Sequence, residues 1–332
     1  MAERGCGLGA TFLVVVDPAE NLANGVAAAF GFGTPIGDLT PVARGEQGTV
    51  WKLDTDRGSY AIKEPFEPQT EADARADVAF QEAVLAQSEV SMPHPIRTPA
   101  GSVLAAVAAR QVRAYQWVDL LPSDTRSDPE LVGRTVAGIH RVRYQPARPL
   151  HPWYVDPVGA PVWQELSRRI SAANAPFADT FAAEIPQLIE LESLLQPPRS
   201  LQNCHRDLFA DNILPLAEGG ICVIDWENCG LEDPSHELGV VMFDFTVGNP
   251  DRSSQLYGAY VDAGGSGRLF DRGDFSMLIA QFGHFYESAA LEWLDPASSD
   301  EDRHHALGRF EELFRTPLTV DRIDELLDAV VR

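Results

Sequence analysis

Between His205 and Asp233 the chain reads HRDLFADNILPLAEGGICVIDWENCGLED, which sets Asp207, Asn212 and Asp225 at the margins of short apolar runs. Those residue types suit one kind of chemistry. A carboxylate in a loop accepts the proton of an alcohol, while an amide oxygen and a second carboxylate are hard ligands for a magnesium ion. Phosphoryl transfer asks for little more than this and cations on the phosphates. The runs Ile213-Leu214 and Ile221 to Ile224 flank Glu218-Gly219-Gly220, so the spacing predicts a hairpin with a four-residue loop from Ala217 to Gly220. Pairing Leu216 with Ile221 would set Asn212 opposite Asp225, with Cβ atoms about 5 Å apart. Asp207, five residues before Asn212, then faces the same ion.

At these residues the chain resembles the protein-kinase-like superfamily, since His205-Arg206-Asp207-Leu208 and Asn212 match the kinase catalytic loop at its usual spacing. Asp225-Trp226-Glu227 stands in place of Asp-Phe-Gly, no Ala-Pro-Glu follows, and Gly230 to Glu237 (GLEDPSHE) comes at once. That departure is similar to the aminoglycoside phosphotransferase and choline kinase family, and the resemblance covers roughly residues 39–245. It implies a bilobal α+β fold of the protein-kinase type, with a small β-rich N-lobe and a larger, mostly helical C-lobe. The lobes would be residues 1–117, which bind nucleotide and include a leading helix, and residues 118–332, which carry catalysis and substrate binding. It further implies transfer of the terminal phosphoryl group of ATP, or GTP, to a hydroxyl of a small molecule with Mg2+ present. Asp207 is then the catalytic residue and Asn212 and Asp225 the metal ligands, with Glu227 a candidate for a second ion. His205 and Arg206 would brace the loop. Glu237 stands where the family usually has aspartate, and its carboxylate is expected to hold the catalytic-loop backbone.

A second constellation lies upstream. Strands are expected at Thr40 to Ala43, Thr49 to Leu53 and Tyr60 to Lys63. Between the first two, Ala43-Arg44-Gly45-Glu46-Gln47-Gly48-Thr49-Val50 matches the kinase glycine loop except that Ala43 replaces its first glycine. Gly45 and Gly48 would let backbone amides approach nucleotide phosphates. Tyr60-Ala61-Ile62-Lys63 resembles the kinase strand whose lysine contacts the phosphates. In the helix expected from about Glu71 to Gln87, Glu82 falls four residues after Val78 and three before Leu85, on the apolar stripe. A carboxylate there wants a buried cation, because unpaired burial costs several kcal/mol. Lys63 is the candidate and the resemblance names the same pair, with Glu71 and Glu89 as alternatives. Tyr115-Gln116-Trp117-Val118 would be the hinge. The resemblance implies that backbone groups there, at Gln116 and Trp117, bond the nucleotide base.

The remaining elements serve to position these residues. A leading helix is expected from Pro18 to Phe32, and another from Asp128 to Arg141 capped by Ser127 or Asp128. The proline- and aromatic-rich segment Tyr144 to Pro161, centred on His151-Pro152-Trp153-Tyr154, reads as a loop over one face of the second lobe. Helices follow at Val162 to Ala172 and Phe181 to Leu195, another begins at Asp233-Pro234, and the chain is helical from Leu256 onward. Phe282, Tyr286, Ala289 and Trp293 recur on one face as a core stripe, with Glu287, Glu292 and Asp295 beside it.

Composition narrows the partners. At 45% hydrophobic and 23% charged residues the chain is of the ordinary globular class, and no run approaches the ~20 apolar residues that span a bilayer. The apolar run Ala10 to Val16 lacks a basic flank, so a signal peptide is not expected and the location is read as cytoplasmic. Net charge of −23, from 26 basic and 49 acidic side chains, argues against nucleic acid and favours solubility or a cationic small-molecule substrate. No protein partner is indicated. Cys6, Cys204, Cys222 and Cys229 form no CxxC pair and read as buried free thiols. The alternative from another class is a catalytically inactive nucleotide-binding module with a regulatory role.

Overall fold

The computed structural model describes residues 18–45, 48–145 and 148–330. Cys6, the run Ala10 to Val16, and Glu46 and Gln47 of the glycine loop lie outside the described residues. Two compact units emerge: the chain up to Arg75 together with His94–Val118, and Ala76–Pro93 together with the chain from Asp119 onward.

In the first unit, α1 (Pro18–Phe30) buries Leu22, Ala23, Val26, Ala27 and Phe30, the spacing of one helix face. Strands β1 (Thr40–Arg44), β2 (Gly48–Thr55) and β3 (Gly58–Pro65) come next. Helix α2 (Glu71–Gln87) begins in this unit, and β4 (Pro95–Ile96), β5 (Ala105–Val107) and β6 (Arg110–Gln116) complete it. The strands pair antiparallel in the order β1-β2-β3-β6-β4, with β5 also on β6. Leu53, Ile62, Val112 and Ala114 of the sheet pack with Val26, Phe30 and Phe32. Glu71 ties the start of α2 down, its carboxylate accepting from the amides of Val103 and Leu104 at 2.9 and 3.0 Å while pairing with Arg75 at 2.7 Å.

The second unit is mostly helical. It contains α3 (Pro129–His140), α4 (Pro152–Val155), α5 (Ala160–Ala172) and α6 (Ala178–Glu192). Then come β7 (Gln202–Cys204), β8 (Ile213–Pro215), β9 (Ile221–Val223) and β10 (Gly230–Glu232). The helices α7 (Pro234–Thr246), α8 (Pro250–Asp262), α9 (Ser276–Leu294), α10 (Asp300–Arg315) and α11 (Val320–Val330) complete it. The four strands make two ribbons, β8 with β9 and β7 with β10. The second is absent from the sequence expectation, because Gln202-Asn203-Cys204 and Gly230-Leu231-Glu232 are too short to show an alternating pattern. Asp128 caps α3 by accepting from the Glu130 amide at 3.0 Å, and Asp233 caps α7 by accepting from Ser235 at 2.9 Å. Helix α7 is buried on almost every side and carries Leu238, Val240, Val241, Met242, Phe243 and Phe245 into the core. Among the described residues no helix is long and apolar enough to cross a membrane. The whole is the mixed α and β architecture implied by the resemblance, an antiparallel sheet in the N-terminal part and helices in the C-terminal part.

Helices α3 and α8 pack at Gly133, where an added Cβ would be driven into the carbonyl oxygen of Leu256 and the amide of Tyr260. Both obstacles are backbone and cannot swing away. Gly133→Ala is therefore expected to cost about 1–3 kcal/mol by overpacking and to lower the melting temperature. A thermal melt matching that of the unchanged protein would refute this reading of the helix crossing.

Candidate active site

The β8–β9 hairpin forms, but one residue out of the expected register. Ile213 faces Val223, Leu214 faces Cys222 and Pro215 faces Ile221. The amide of Leu216 donates to Gly220 O at 3.1 Å and that of Gly219 to Leu216 O at 3.0 Å. Two glycines at φ of 95° and 92° allow this tighter three-residue turn, with Gly219 in the left-handed position. Asn212 consequently faces Ile224, whose amide donates to Asn212 O at 3.0 Å, and Asp225 stands one residue beyond direct opposition. At Asp225 the backbone turns left-handed, φ 60° and ψ 61°, which ends the strand and opens the 3-10 turn Trp226–Asn228.

Asp207, Asn212 and the end of that turn are nonetheless brought together. The Asn212 side-chain amide donates to Asp207 O at 2.9 Å, which leaves its own oxygen as the remaining polar atom. Asn228 Nδ2 donates to Asp207 Oδ2 at 3.2 Å and so orients the carboxylate. An oxygen set of an amide, Asp225 and the neighbouring Glu227 suits a hard cation.

The loop that carries Asp207 is held from many sides. Arg206 has a left-handed φ of 69°, a conformation that costs a non-glycine residue on the order of 1–3 kcal/mol and persists only where the surroundings enforce it. Glu237 of α7 supplies that enforcement: Oε1 accepts from the Arg206 amide and Oε2 from the His205 amide at 3.3 Å. Oε2 also lies 2.7 Å from His140 Nε2, and His140 Nδ1 lies 2.7 Å from the Tyr260 hydroxyl, which accepts from the Gly267 amide at 2.7 Å. An ionised Glu237 fixes the tautomer, with His140 donating from Nε2 and accepting the Tyr260 proton at Nδ1. Burial works to raise the Glu237 pKa, but the hydrogen bond from His140, the electrostatics of the two nearby imidazoles of His140 and His205, and the Arg206 amide together hold it below the ordinary value. The longer side chain in place of aspartate thus still reaches two consecutive loop amides.

Further braces complete the cage. Asp244 of α7 accepts from the Ala210 amide at 2.6 Å, and Gln281 of α9 donates to Arg206 O at 3.2 Å. The Arg206 guanidinium donates to the carbonyls of Asn228 at 2.6 Å and of Pro149 and Cys229 at 3.4 Å, and lies over the Tyr154 ring. His205 donates from Nε2 to Ile224 O at 3.0 Å, and burial depresses its pKa, so it is a neutral strut between the catalytic loop and the strand leading to Asp225. Cys204, Cys222 and Cys229 are free and buried, and burial raises all three thiols. Asn228, His140, Asp244 and Gln281 carried no signal in the sequence: each is a single polar residue whose partner is distant along the chain or outside any recognised motif.

The residues expected to bind nucleotide lie in the first unit, apart from Glu82. Gly45 follows β1 and donates to Gly48 O at 3.0 Å, closing the β1–β2 turn. At Gly48 an added Cβ would strike the backbone of Glu64 and Pro65, so only glycine lets β2 and β3 approach there. Lys63 sits mid-β3 between Val50 and Arg113. Gln116 ends β6, its amide donating to His94 O at 2.9 Å, and Trp117 donates to Ser59 O at 3.4 Å with Lys52 over its ring. Glu82 belongs to the second unit, and its exposure departs from the expected place on the apolar stripe. It is exposed on α2, whose buried residues are Ala74, Asp77, Val78, Phe80, Gln81 and Val84. Periodicity misplaced it because two polar residues, Asp77 and Gln81, are on the buried face; Asp77 pairs with Arg148 at 2.7 Å and Gln81 donates to Pro93 O at 2.9 Å. Of the alternatives, Glu71 is engaged with Val103, Leu104 and Arg75, and Glu89 is exposed.

The acidic and aromatic residues near the end of α9 are engaged within the fold. Tyr286 is buried among Phe181, Phe310 and Phe314, and Trp293 packs edge-on against Phe177. Glu292 pairs with His305 at 3.1 Å and Arg309 at 3.5 Å, and Asp295 accepts from the Ala297 amide at 2.9 Å. Glu287 stands apart from these, bonded to His284 at 3.0 Å.

A family model described as the phosphotransferase enzyme family matches residues 38–275. No curated protein matches the sequence. Among solved structures, a spectinomycin phosphotransferase in complex with ADP and spectinomycin is similar with a TM-score of 0.67 at 16% identity, covering 94% of this chain and 98% of that one. An aminoglycoside phosphotransferase from Alicyclobacillus acidocaldarius gives 0.61 at 14% identity, covering 91% and 96%. An amicoumacin kinase in complex with AMP-PNP, Ca2+ and Ami gives 0.57 at 14% identity, covering 91% and 95%. At these identities the likeness to solved structures is one of fold.

Proposed function

The chain belongs to the phosphotransferase enzyme family and is a phosphotransferase with an alcohol group as acceptor, and on that premise we propose that it moves the terminal phosphoryl group of ATP to a hydroxyl of a small, amine-bearing molecule. Residues 1–117 act as the nucleotide-binding lobe and residues 118–332 as the catalytic and substrate-binding lobe. The observation that carries this reading is the hold on Asp207, with its carboxylate fixed by Asn228 and its carbonyl by Asn212. Asp207 takes the proton of the acceptor hydroxyl as the phosphoryl group arrives. Asn212 and Asp225 would hold Mg2+, which when bound neutralises charge on the phosphates. The Gly45 to Gly48 turn and Lys63 contact the phosphates, and the backbone at Gln116 and Trp117 meets the base. The related structures bind ADP with spectinomycin and AMP-PNP with Ca2+, which supports a nucleotide donor and a divalent cation here.

The test is phosphate transfer from Mg-ATP and Mg-GTP to a panel of aminoglycosides, amino alcohols, neutral sugars and peptides. Turnover of the peptides alone would overturn the small-molecule reading. A companion prediction concerns the metal. Asp225→Ala removes the main anionic ligand, so magnesium-dependent nucleotide affinity is expected to be abolished. Calorimetry showing the same affinity with magnesium present would remove Asp225 from the metal set.

A further inference from the structure

The 3-10 turn Trp226–Asn228 starts at Asp225 and carries Glu227 and Asn228, so its backbone sets where three polar groups of the site point. So short a turn satisfies few of its own carbonyls, and those at its end need donors from elsewhere. Two arginines supply them. Arg206 of the catalytic loop donates to the carbonyls of Asn228 and Cys229, and Arg148 Nη1 donates to that of Glu227 at 2.7 Å. Arg148 lies 79 residues before Glu227, in the proline-rich segment and outside the motif that carries Asp207, and none of the roles above uses it.

Arg148 is itself fixed at both ends. Its carbonyl accepts from the Leu231 amide of β10 at 3.3 Å. Pro149 follows and biases it toward an extended backbone, and the Pro149 carbonyl accepts in turn from Arg206. At the far end of the side chain, Nη2 lies 2.7 Å from Asp77 Oδ1 of α2. The Asp77 side chain is 3% exposed and that of Arg148 31%, so the carboxylate is the buried member and the guanidinium reaches in to meet it. A carboxylate buried so deeply is costly without a cation. One turn along α2, Phe80 packs on Trp226 with centroids 6.0 Å apart, which anchors the start of the 3-10 turn independently of Arg148. Bridging Asp77 and the Glu227 carbonyl with two different nitrogens calls for the planar fork of a guanidinium, whereas an ammonium is a single point. The ion pair is neutral overall, so it holds the turn without adding net positive charge beside Asp225 and Glu227, where it would oppose a divalent cation.

We infer that Arg148 is a positioning residue for phosphoryl transfer: with Asp77 as its counterion it clamps the Glu227 carbonyl, and so sets Asp225 and Glu227 toward the metal and Asn228 toward the Asp207 carboxylate. This rests on the reading of Asp225 as a metal ligand and of Asp207 as the proton acceptor. When the clamp is lost every ligand is still present but the turn that carries them loosens. The loss therefore falls on magnesium-dependent nucleotide binding and on turnover, ahead of any loss of the fold.

Arg148→Lys in the full chain is the decisive variant, because it keeps a cation on Asp77 while giving up the fork that also reaches Glu227. Its melting temperature is expected to change little. The magnesium concentration that half-saturates ATP binding in calorimetry should rise, and kcat should fall, each by about 10–100-fold, the range for groups that orient metal ligands. Hydrogen exchange over residues 226–230 should quicken while α7 and α9 keep their protection. Arg148→Ala should also melt lower, since Asp77 is left unpaired. Adding Asp77→Asn to it removes the buried charge and should recover the melting temperature without recovering magnesium affinity or kcat. The inference is overturned if Arg148→Lys keeps both its magnesium dependence and its exchange over residues 226–230. It is equally overturned if Asp77→Asn restores stability and magnesium affinity together, the mark of a purely structural pair. Should the unchanged protein bind ATP equally with and without magnesium, the metal reading of Asp225 fails by itself, and exchange over the turn still decides whether Arg148 clamps it.

Discussion

Asp207→Asn is expected to retain nucleotide binding and to lose kcat by about 10²–10⁴-fold, the range over which a positioned proton acceptor contributes. The asparagine fills the same volume and its side-chain oxygen still accepts from Asn228 Nδ2, so the contact seen at 3.2 Å survives. What is lost is the ability to take a proton. Because the substitution changes the transition state and not the ground state, kcat and kcat/KM should fall together while KM for the nucleotide stays near its starting value. Asn228→Ala, which removes this contact and leaves the carboxylate in place, should show a smaller loss, about tenfold. Steady-state kinetics with any acceptor that turns over decides the matter, and near-normal turnover by the Asp207→Asn protein would sink the catalytic assignment.

The portion of this site that was legible in the sequence is the portion built from neighbours along the chain. His205-Arg206-Asp207 and Asn212 lie on one loop, and the apolar runs on either side of Glu218-Gly219-Gly220 announce the hairpin. The error of one residue in its register has a local cause. Two adjacent glycines allow closure at Leu216 with Gly220 as readily as at Leu216 with Ile221, and side-chain pattern over three-residue strands is too short to choose. Glu82 shows a different failure. Helical periodicity counts polar residues as surface, whereas α2 buries Asp77 on Arg148 and Gln81 on the Pro93 carbonyl and turns Glu82 outward. Glu292 pairs with Arg309 and His305 of α10, a tertiary pairing that spacing within α9 does not encode.

Least legible was the support of the catalytic loop. Glu237 was expected to brace it, but the chain of bonds behind Glu237 runs through residues with no motif: His140 lies 97 positions earlier and Tyr260 lies on a third helix. A lone histidine near the end of an apolar helix reads as an ordinary core residue. Only the fold shows that it hydrogen-bonds the carboxylate holding Arg206 in its left-handed conformation.

Replacing Glu237 should therefore be the most damaging change outside Asp207, and the isosteric variant is the more informative. Glu237→Ala leaves the His205 and Arg206 amides buried without an acceptor and removes the partner of His140, a loss on the order of 3–5 kcal/mol by the measure of broken buried pairs. Glu237→Gln keeps the volume but replaces one acceptor oxygen with a donor. That NH2 group must face either the Arg206 amide or the His205 amide, both donors, so about 1–3 kcal/mol is lost even though nothing is removed. With Arg206 no longer held, Asp207 shifts, and kcat is expected to fall about 100-fold, the effect of a misplacement near 1 Å. The acid dependence follows with a definite sign. Glu237 has its pKa lowered on folding from 4.5, so its contribution is complete above that value and is lost as pH falls through the lower folded-state value. His205, also depressed, from 6.5, resists protonation, so stability begins to decline once pH drops below 6.5, before Glu237 titrates. Melting temperatures from pH 7 down to pH 3 should therefore fall in both proteins below 6.5, and the additional loss below 4.5 should be reduced in Glu237→Gln. A glutamine variant that melts and turns over like the unchanged protein would show that His140 and Glu237 merely fill space, and the bracing of the catalytic loop would have to be sought in Asp244 and Gln281 alone.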